Sequence, residues 1–262
     1  MPDQSASAVP VLEAHGITVQ FGGLRALDDV DLVVAPSSTV GLVGPNGAGK
    51  TTLFGVMSGL LRPTAGEVRM DGDDVTRLSP QQRAHRGMAR TFQRLELFVE
   101  LTVREHLALA YRSHHSPQRI WSDLFRLAPK RDKAEDEVLT HIIDLLKLGP
   151  VADRTADLLP TGTGRLLEVA RALAAKPRVL LLDEPSSGLD SAETEEFAEA
   201  LNRVRQETGV AFVLVEHNVG LVLRLCATVT VLDFGRCIAQ GIPDEIRSNQ
   251  AVQTAYLGRV KV

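Results

Sequence analysis

Cysteine is scarce in this sequence, and so is any long apolar run. The two cysteines among 262 residues, Cys226 and Cys237, stand at no C-x-x-C spacing. That excludes a disulfide framework and a thiolate metal site, and it suits a reducing cytosol. The one uninterrupted apolar run of note covers residues 210–215, six positions, where a membrane-spanning helix needs roughly 20. Basic excess is missing too. With 29 Lys+Arg against 33 Asp+Glu the formal net charge is -4, so no general attraction to nucleic acid is expected. Met1-Pro2-Asp3-Gln4-Ser5-Ala6 has no basic segment followed by an apolar one; the sequence predicts no secretory signal there and a short flexible tail over residues 1–10. No internal repeat and no heptad run is present. What remains, 44% hydrophobic and 24% charged, fits a soluble globular protein of one large domain with room for a sub-domain.

One stretch organises the rest. Gly44-Pro45-Asn46-Gly47-Ala48-Gly49-Lys50-Thr51-Thr52 fits G-x-x-x-x-G-K-[ST]. A short apolar run, residues 40–43, precedes it and reads as a buried strand; residues 53–60 follow and read as a helix. Strand, glycine-rich loop and helix together make a phosphate site. Gly47 and Gly49 carry no Cβ, so backbone N–H groups can wrap phosphate oxygens, and the helix starting near Lys50 adds its positive end. Lys50 supplies a mobile positive charge for the outer phosphates, and the Thr51 hydroxyl is placed for Mg²⁺.

The fold class expected is α/β. The core is a mixed sheet flanked by helices, with an N-terminal antiparallel β region (strands at 16–21 and 30–34, Gly22-Gly23 the turn) and an inserted helical sub-domain over 101–160. One domain spans 11–258. Ser79 with Pro80 predicts a helix start. Thr102 with Glu105, and Asp190 with Glu193, read as capping boxes. A helix over 133–148 places Val138, Ile142, Leu145 and Leu146 on one face. Between the two inserted helices, residues 112–133 are basic and carry Trp121. Further strands are expected at 67–70, 88–92, 179–182, 210–215, 228–232 and 237–239, and helices at 165–174, 219–225 and near the end.

Three buried strands run out into polar residues: one into the phosphate loop, one into Asp183-Glu184, one into Glu216-His217. In an open α/β sheet the ligand crevice lies beyond those strand ends. Asp183 can hold Mg²⁺, Glu184 can orient and polarise a water against a γ-phosphate, and His217 can fix that phosphate and the water. Alone, each has a bland reading: an exposed strand end for the acids, a helix cap for His217, a solvated side chain for Gln93, a core aromatic for Phe21. Only the shared crevice joins them.

In order along the chain, Lys50, Gln93, Leu159-Pro160-Thr161-Gly162-Thr163, Asp183-Glu184-Pro185, Ser187-Gly188-Leu189-Asp190 and His217 resemble an ABC-type ATPase subunit, over nearly the whole length. The resemblance implies ATP and Mg²⁺ as cofactors. Phe21 would stack on adenine, and Gly44, Pro45, Asn46, Gly47, Ala48, Gly49, Lys50, Thr51 and Thr52 would form the phosphate loop. Thr51, Gln93 and Asp183 would hold the metal. Glu184, His217 and Gln93 would be catalytic, Gln93 also meeting the membrane partner. Thr161, Gly162 and Thr163 would reach the ATP of an opposite subunit in a head-to-tail dimer that closes on ATP and reopens after hydrolysis. Phe21-Gly22-Gly23-Leu24-Arg25-Ala26-Leu27, Ala89-Arg90-Thr91-Phe92-Gln93, Ala255-Tyr256-Leu257-Gly258 and the insert look like the ATPase subunits of branched-chain amino-acid importers. A lipid or lipopolysaccharide exporter ATPase, or a non-transport ABC ATPase, is the alternative. The implied partners are transmembrane permease subunits, a second copy or a second ABC ATPase and, indirectly, a solute-binding protein, with no nucleic acid. The implied place is the cytoplasmic face of the cell membrane. One departure stands out: Pro160 occupies the usual signature serine position and has neither hydroxyl nor N–H. It points to an asymmetric pair as the alternative to a homodimer.

Overall fold

The computed structural model describes residues 9–91, 95–115 and 133–257. Gln93 and most of the basic insert, including Trp121, therefore lie outside the described residues. The elements run β1 (Leu12–Phe21), β2 (Leu24–Val34), β3 (Thr39–Val43), α1 (Lys50–Ser58), β4 (Ala65–Met70), β5 (Asp73–Asp74), α2 (Pro80–His85), β6 (Met88–Arg90) and α3 (Val103–His115). Then come α4 (Lys133–Leu145), α5 (Thr161–Leu173), β7 (Val179–Asp183), α6 (Ser191–Thr208), β8 (Ala211–Val215), α7 (Val219–Leu225), β9 (Thr228–Asp233), β10 (Arg236–Gly241), α8 (Pro243–Ser248) and α9 (Gln250–Leu257).

Two sheets form the frame. A four-stranded antiparallel sheet has the order β2-β1-β4-β5, and a six-stranded sheet the order β10-β9-β3-β8-β7-β6. In the second, β6, β7, β8, β3 and β9 are parallel and only β10 turns back. Every residue of β3 and β8 is buried, as unbroken apolar runs in a parallel sheet must be when both faces are covered. Alternate side chains feed two cores. Leu180, Leu182, Phe212 and Leu214 pack with Leu107, Leu139, Ile142, Leu167, Phe197 and Leu201 from the helices. Leu181, Val213, Val215 and Leu42 pack with Leu53 and Met57 of α1 and with Leu12, Ile17 and Leu32 of the antiparallel sheet. α3 and α4 of the inserted region thus share a core with the sheet rather than building one of their own.

The local start signals act as expected. Ser79 and Gln82 close a capping box on α2, Asp190 and Glu193 one on α6, and Thr102 exchanges hydrogen bonds with Glu105. Several boundaries differ from expectation: β1 and β2 begin at Leu12 and Leu24, ahead of the expected 16 and 30, and α4 ends at Leu145, short of 148. α1 begins at Lys50, as expected of the helix after the phosphate loop; Gly49 takes φ 104 and leaves the helix start without a side-chain cap. α5 begins at Thr161, with Pro160 as N-cap, four residues earlier than the apolar spacing suggested. The last helix is two, interrupted at Asn249, whose Oδ1 accepts from Ala251 N–H at 2.9 Å and so starts α9. Among the described residues no helix is long and apolar enough to cross a membrane.

Arg83 fixes the far end of α1. It is 0% exposed. Its guanidinium donates to Val56 O at 2.7 Å, Met57 O at 2.6 Å and Thr76 O at 3.1 Å. Burial pulls its pKa down to about 10, yet it stays charged and faces the negative end of α1. Arg83→Met strands those carbonyls; an expected loss of roughly 3 kcal/mol of stability is readable as a lower urea midpoint with unchanged slope.

Candidate nucleotide-binding and hydrolysis site

β3 delivers Gly44 to the mouth of the sheet, and the loop has no room for side chains at two of its glycines. A Cβ on Gly44 would sit 2.2 Å from Leu232 O, and one on Gly49 2.7 Å from Leu27 Cδ2. The loop is braced by Ala48 N–H to Pro45 O at 3.1 Å and Gly235 N–H to Ala48 O at 3.0 Å. Lys50 is 6% exposed; its Nζ donates to Gly44 O at 2.6 Å and Pro45 O at 3.1 Å. The ammonium therefore lies over the loop with its charge held by carbonyl dipoles. A cleft of about 470 Å³ opens here, lined by Asn46, Gly47, Ala48, Gly49, Lys50, Thr51 and Thr52, by Leu24, Arg25 and Ala26 of β2, by Phe234 and Gly235, and by Glu184 and His217. Uncapped α1 N–H groups, backbone glycines and a lysine form an anion cradle.

Asp183 and Glu184 arrive from β7, with β8 between it and β3. Asp183 ends β7 and is half-buried. Burial, then the negative charge of Glu184, raise its pKa above the ordinary aspartate value, while Arg90 and Lys50 pull it back. Glu184 takes φ 48, a left-handed conformation that costs a non-glycine residue of order 1 kcal/mol or more. Its N–H donates to Val215 O at 2.8 Å, so the chain swings off β7 and aims the carboxylate at the cleft. There Glu184 Oε1 lies 2.6 Å from His217 Nε2. An ionised carboxylate only accepts, so the ring N–H is the donor. Carboxylate and imidazole form one unit facing the phosphate loop.

Glu216 holds that unit together, and the sequence reading gave it no role. It is 3% exposed. Its Oε1 accepts from Ser186 N–H at 2.8 Å; its Oε2 accepts from His217 N–H at 3.0 Å and Asn218 N–H at 3.4 Å. One buried carboxylate thus ties the loop after β7 to the loop after β8. An acidic residue ending an apolar strand was the available signal. In Glu216→Gln the amide NH₂ must face backbone donors on one side. One lost charged hydrogen bond is worth roughly 1.5–3 kcal/mol; half of it spent on geometry gives a several-fold to about tenfold lower kcat. Steady-state kinetics should show that fall with KM for ATP nearly unchanged.

The other sequence-predicted residues scatter. Phe21 ends β1, 52% exposed, paired with Leu24; Leu24 lines the cleft and Phe21 does not. Thr161, Gly162 and Thr163 form the first turn of α5, outside the cleft lining. A Cβ on Gly162 would lie 3.0 Å from Glu193 Oε1, so this turn packs on the start of α6. Among the described residues no cluster of three or more Asp, Glu, His or Cys could hold a metal. Mg²⁺ in a phosphate site takes one or two protein oxygens and completes its shell with phosphate and water; the Thr51 hydroxyl in the cleft lining and the Asp183 carboxylate at the end of β7 are the candidates to supply them.

A family model described as ABC transporter matches residues 27–187. The chain belongs to the ABC transporter family. A second model, described as branched-chain amino acid ATP-binding cassette transporter, matches residues 236–261 of this ABC chain. It is 38% identical over 252 residues to the high-affinity branched-chain amino acid transport ATP-binding protein BraF of Pseudomonas aeruginosa, across 95% of this chain and 98% of that protein. LivG of Escherichia coli K12, of the same description, is 36% identical over the same shares. The lipopolysaccharide export ATP-binding protein LptB of Haemophilus influenzae is 32% identical over 250 residues, 95% of this chain and 97% of that one. A solved ATP-binding cassette of an ABC transporter in its ADP conformation superposes with TM-score 0.82 at 29% identity, covering 95% of this chain and 99% of that one. The ABC chain is accordingly an ATP-binding ATPase subunit with the α/β cassette fold.

Proposed function

We propose that this chain is the ATP-hydrolysing subunit of an importer for branched-chain or related amino acids, working at the cytoplasmic face of the membrane on separate permease subunits. The observation that carries the ATPase half is the Glu184–His217 hydrogen bond of 2.6 Å beside the Lys50 loop. The amino-acid half is supported by the match over residues 236–261 and by greater identity to the named importer proteins than to the exporter protein.

The loop N–H groups and Lys50 bind the phosphates. Phe21, beside the cleft mouth, stacks on the adenine. Thr51 and Asp183, with Gln93, would hold Mg²⁺, which would supply charge screening for the outer phosphates. Glu184 orients the attacking water and takes up its proton, and His217, tied to Glu184, steadies the γ-phosphate. Thr161, Gly162 and Thr163 serve the nucleotide of a second cassette in a head-to-tail dimer, in keeping with their place outside this chain's own cleft. A groove of about 430 Å³ between α3 and α5, lined by Arg90, Thr91, Phe98, His106, Leu109 and Arg171, takes the permease. Phe98 is 55% exposed there, held by its N–H to His106 Nε2 at 3.0 Å, while His106 Nδ1–H donates to Thr102 O at 2.9 Å. Burial lowers the pKa of His106 and keeps it in that neutral tautomer. Co-expression with a permease pair and binding protein of the branched-chain amino-acid class tests this: leucine-loaded binding protein should accelerate ATP hydrolysis by the assembled complex in proteoliposomes. Acceleration by a lipid and not by an amino acid would move the chain to the exporter class.

Pro160 adds a further expected result. It sits at the N-cap with φ -57 and ψ 154, a backbone that serine accepts readily. A serine hydroxyl there offers the opposing γ-phosphate a hydrogen bond worth roughly 1.5–3 kcal/mol. If half of that is realised only in the transition state, Pro160→Ser raises turnover several-fold to about tenfold. Phosphate release by the isolated chain, where it closes as a homodimer, reads it. A lower rate would mean that a neighbouring threonine already donates and proline is needed to start α5.

A further inference from the structure

One buried ion pair lies outside the catalytic machinery. Arg165 and Glu168, three residues apart on α5, are 7% and 6% exposed at their side chains and meet at 3.0 Å, Nη1 to Oε2. Each also reaches a different loop. Arg165 Nη2 donates to Ser187 O at 3.3 Å, in the loop between Glu184 and the N-cap Asp190. Glu168 Oε1 accepts from Glu96 N–H at 3.4 Å, and Arg171, one turn on, donates to Glu96 O at 2.5 Å. The segment beginning at Leu95 lies tight on the helix: a Cβ on Gly164 would come 2.9 Å from Leu95 Cδ2. Glu168 and Arg171 also line the groove beside Phe98.

We propose that Arg165 and Glu168 are positioning residues that couple the groove wall at 95–98 to the loop carrying Glu184 and Ser187, so that nucleotide binding resets the docking groove. Burying an ion pair gains little stability over an apolar pair of the same volume. Here the pair supplies directional bonds from one rigid helix to two irregular segments, and each charge holds the other in the position from which its own bond is made. Burial raises the pKa of Glu168, while Arg165 first, then the Glu96 N–H and the Arg171 charge, oppose it. The assignment of the groove to a permease belongs to the function proposed above; the coupling itself can be read in the isolated chain.

The experiment is hydrogen exchange by mass spectrometry on the Glu184→Gln chain with and without Mg-ATP, alone and combined with Glu168→Gln or Arg165→Lys. In the parent, ATP should protect residues 44–52 and change exchange over 95–110. In both combined variants the protection at 44–52 should remain, while the ATP response over 95–110 falls to less than about a fifth. A merely structural pair would shift exchange equally with and without ATP, leaving the response intact, and that result overturns the proposal. So does joint loss of both responses in the variants, or a parent that responds at 44–52 and not at 95–110. A parent with no response at 44–52 instead removes the ATP-site reading on which all of this stands.

Discussion

Glu184→Gln should bind ATP as the parent does and hydrolyse it about 10²–10⁴-fold more slowly, the usual worth of a general base. Geometry predicts the split. The amide oxygen of Gln can still accept from His217 Nε2–H, so the 2.6 Å contact and the left-handed turn at Glu184 survive. What goes is the negative charge that polarises water and accepts its proton. Removing that charge also relieves Asp183, whose pKa Glu184 helps to raise, so metal and nucleotide binding should hold or tighten. Isothermal titration with Mg-ATP beside single-turnover phosphate release measures both halves. Wild-type turnover in the variant would strip Glu184 of its role.

Lys50→Ala should weaken ATP binding by roughly 10- to 150-fold, the value of one charge-assisted hydrogen bond of 1.5–3 kcal/mol. Three effects act in the same direction. The cation aimed at the outer phosphates is gone. The bonds from Nζ to Gly44 O and Pro45 O vanish, loosening the cradle. Lys50 also lowers the pKa of Asp183, so its loss pushes that carboxyl further towards the neutral acid, which binds Mg²⁺ poorly. Adenosine, without phosphates, should bind parent and variant alike. Equal ATP affinity in both would contradict the phosphate-loop assignment.

Legibility in the sequence followed the range of the interactions. The phosphate loop and the capping boxes at Ser79, Thr102 and Asp190 are local patterns and stand where the spacing put them. Strands β3, β7 and β8 were readable because burial on both faces demands unbroken apolar runs. Sheet order was not: β3 lies between β8 and β9, and nothing in residues 39–43 names partners as distant as Phe212 and Thr228. The start of α5 was hidden because Thr161-Gly162-Thr163-Gly164 has no apolar periodicity; the helix is fixed there by packing on Leu95 and Glu193. Glu216, Arg83 and Glu168 went unread for one shared reason. Each is a charged residue buried by partners distant in sequence, and a single chain shows the charge without the carbonyls and N–H groups that receive it.

Uptake tests the central claim most directly. In the source organism, the chromosomal copy is replaced by the Glu184→Gln allele at equal protein level, and initial uptake of labelled leucine, isoleucine and valine is measured at low concentration. High-affinity uptake of at least one of them should fall to the level of a deletion strain, with unrelated amino acids unaffected. Parental uptake of all three, in a strain where deletion is equally silent, would contradict the account.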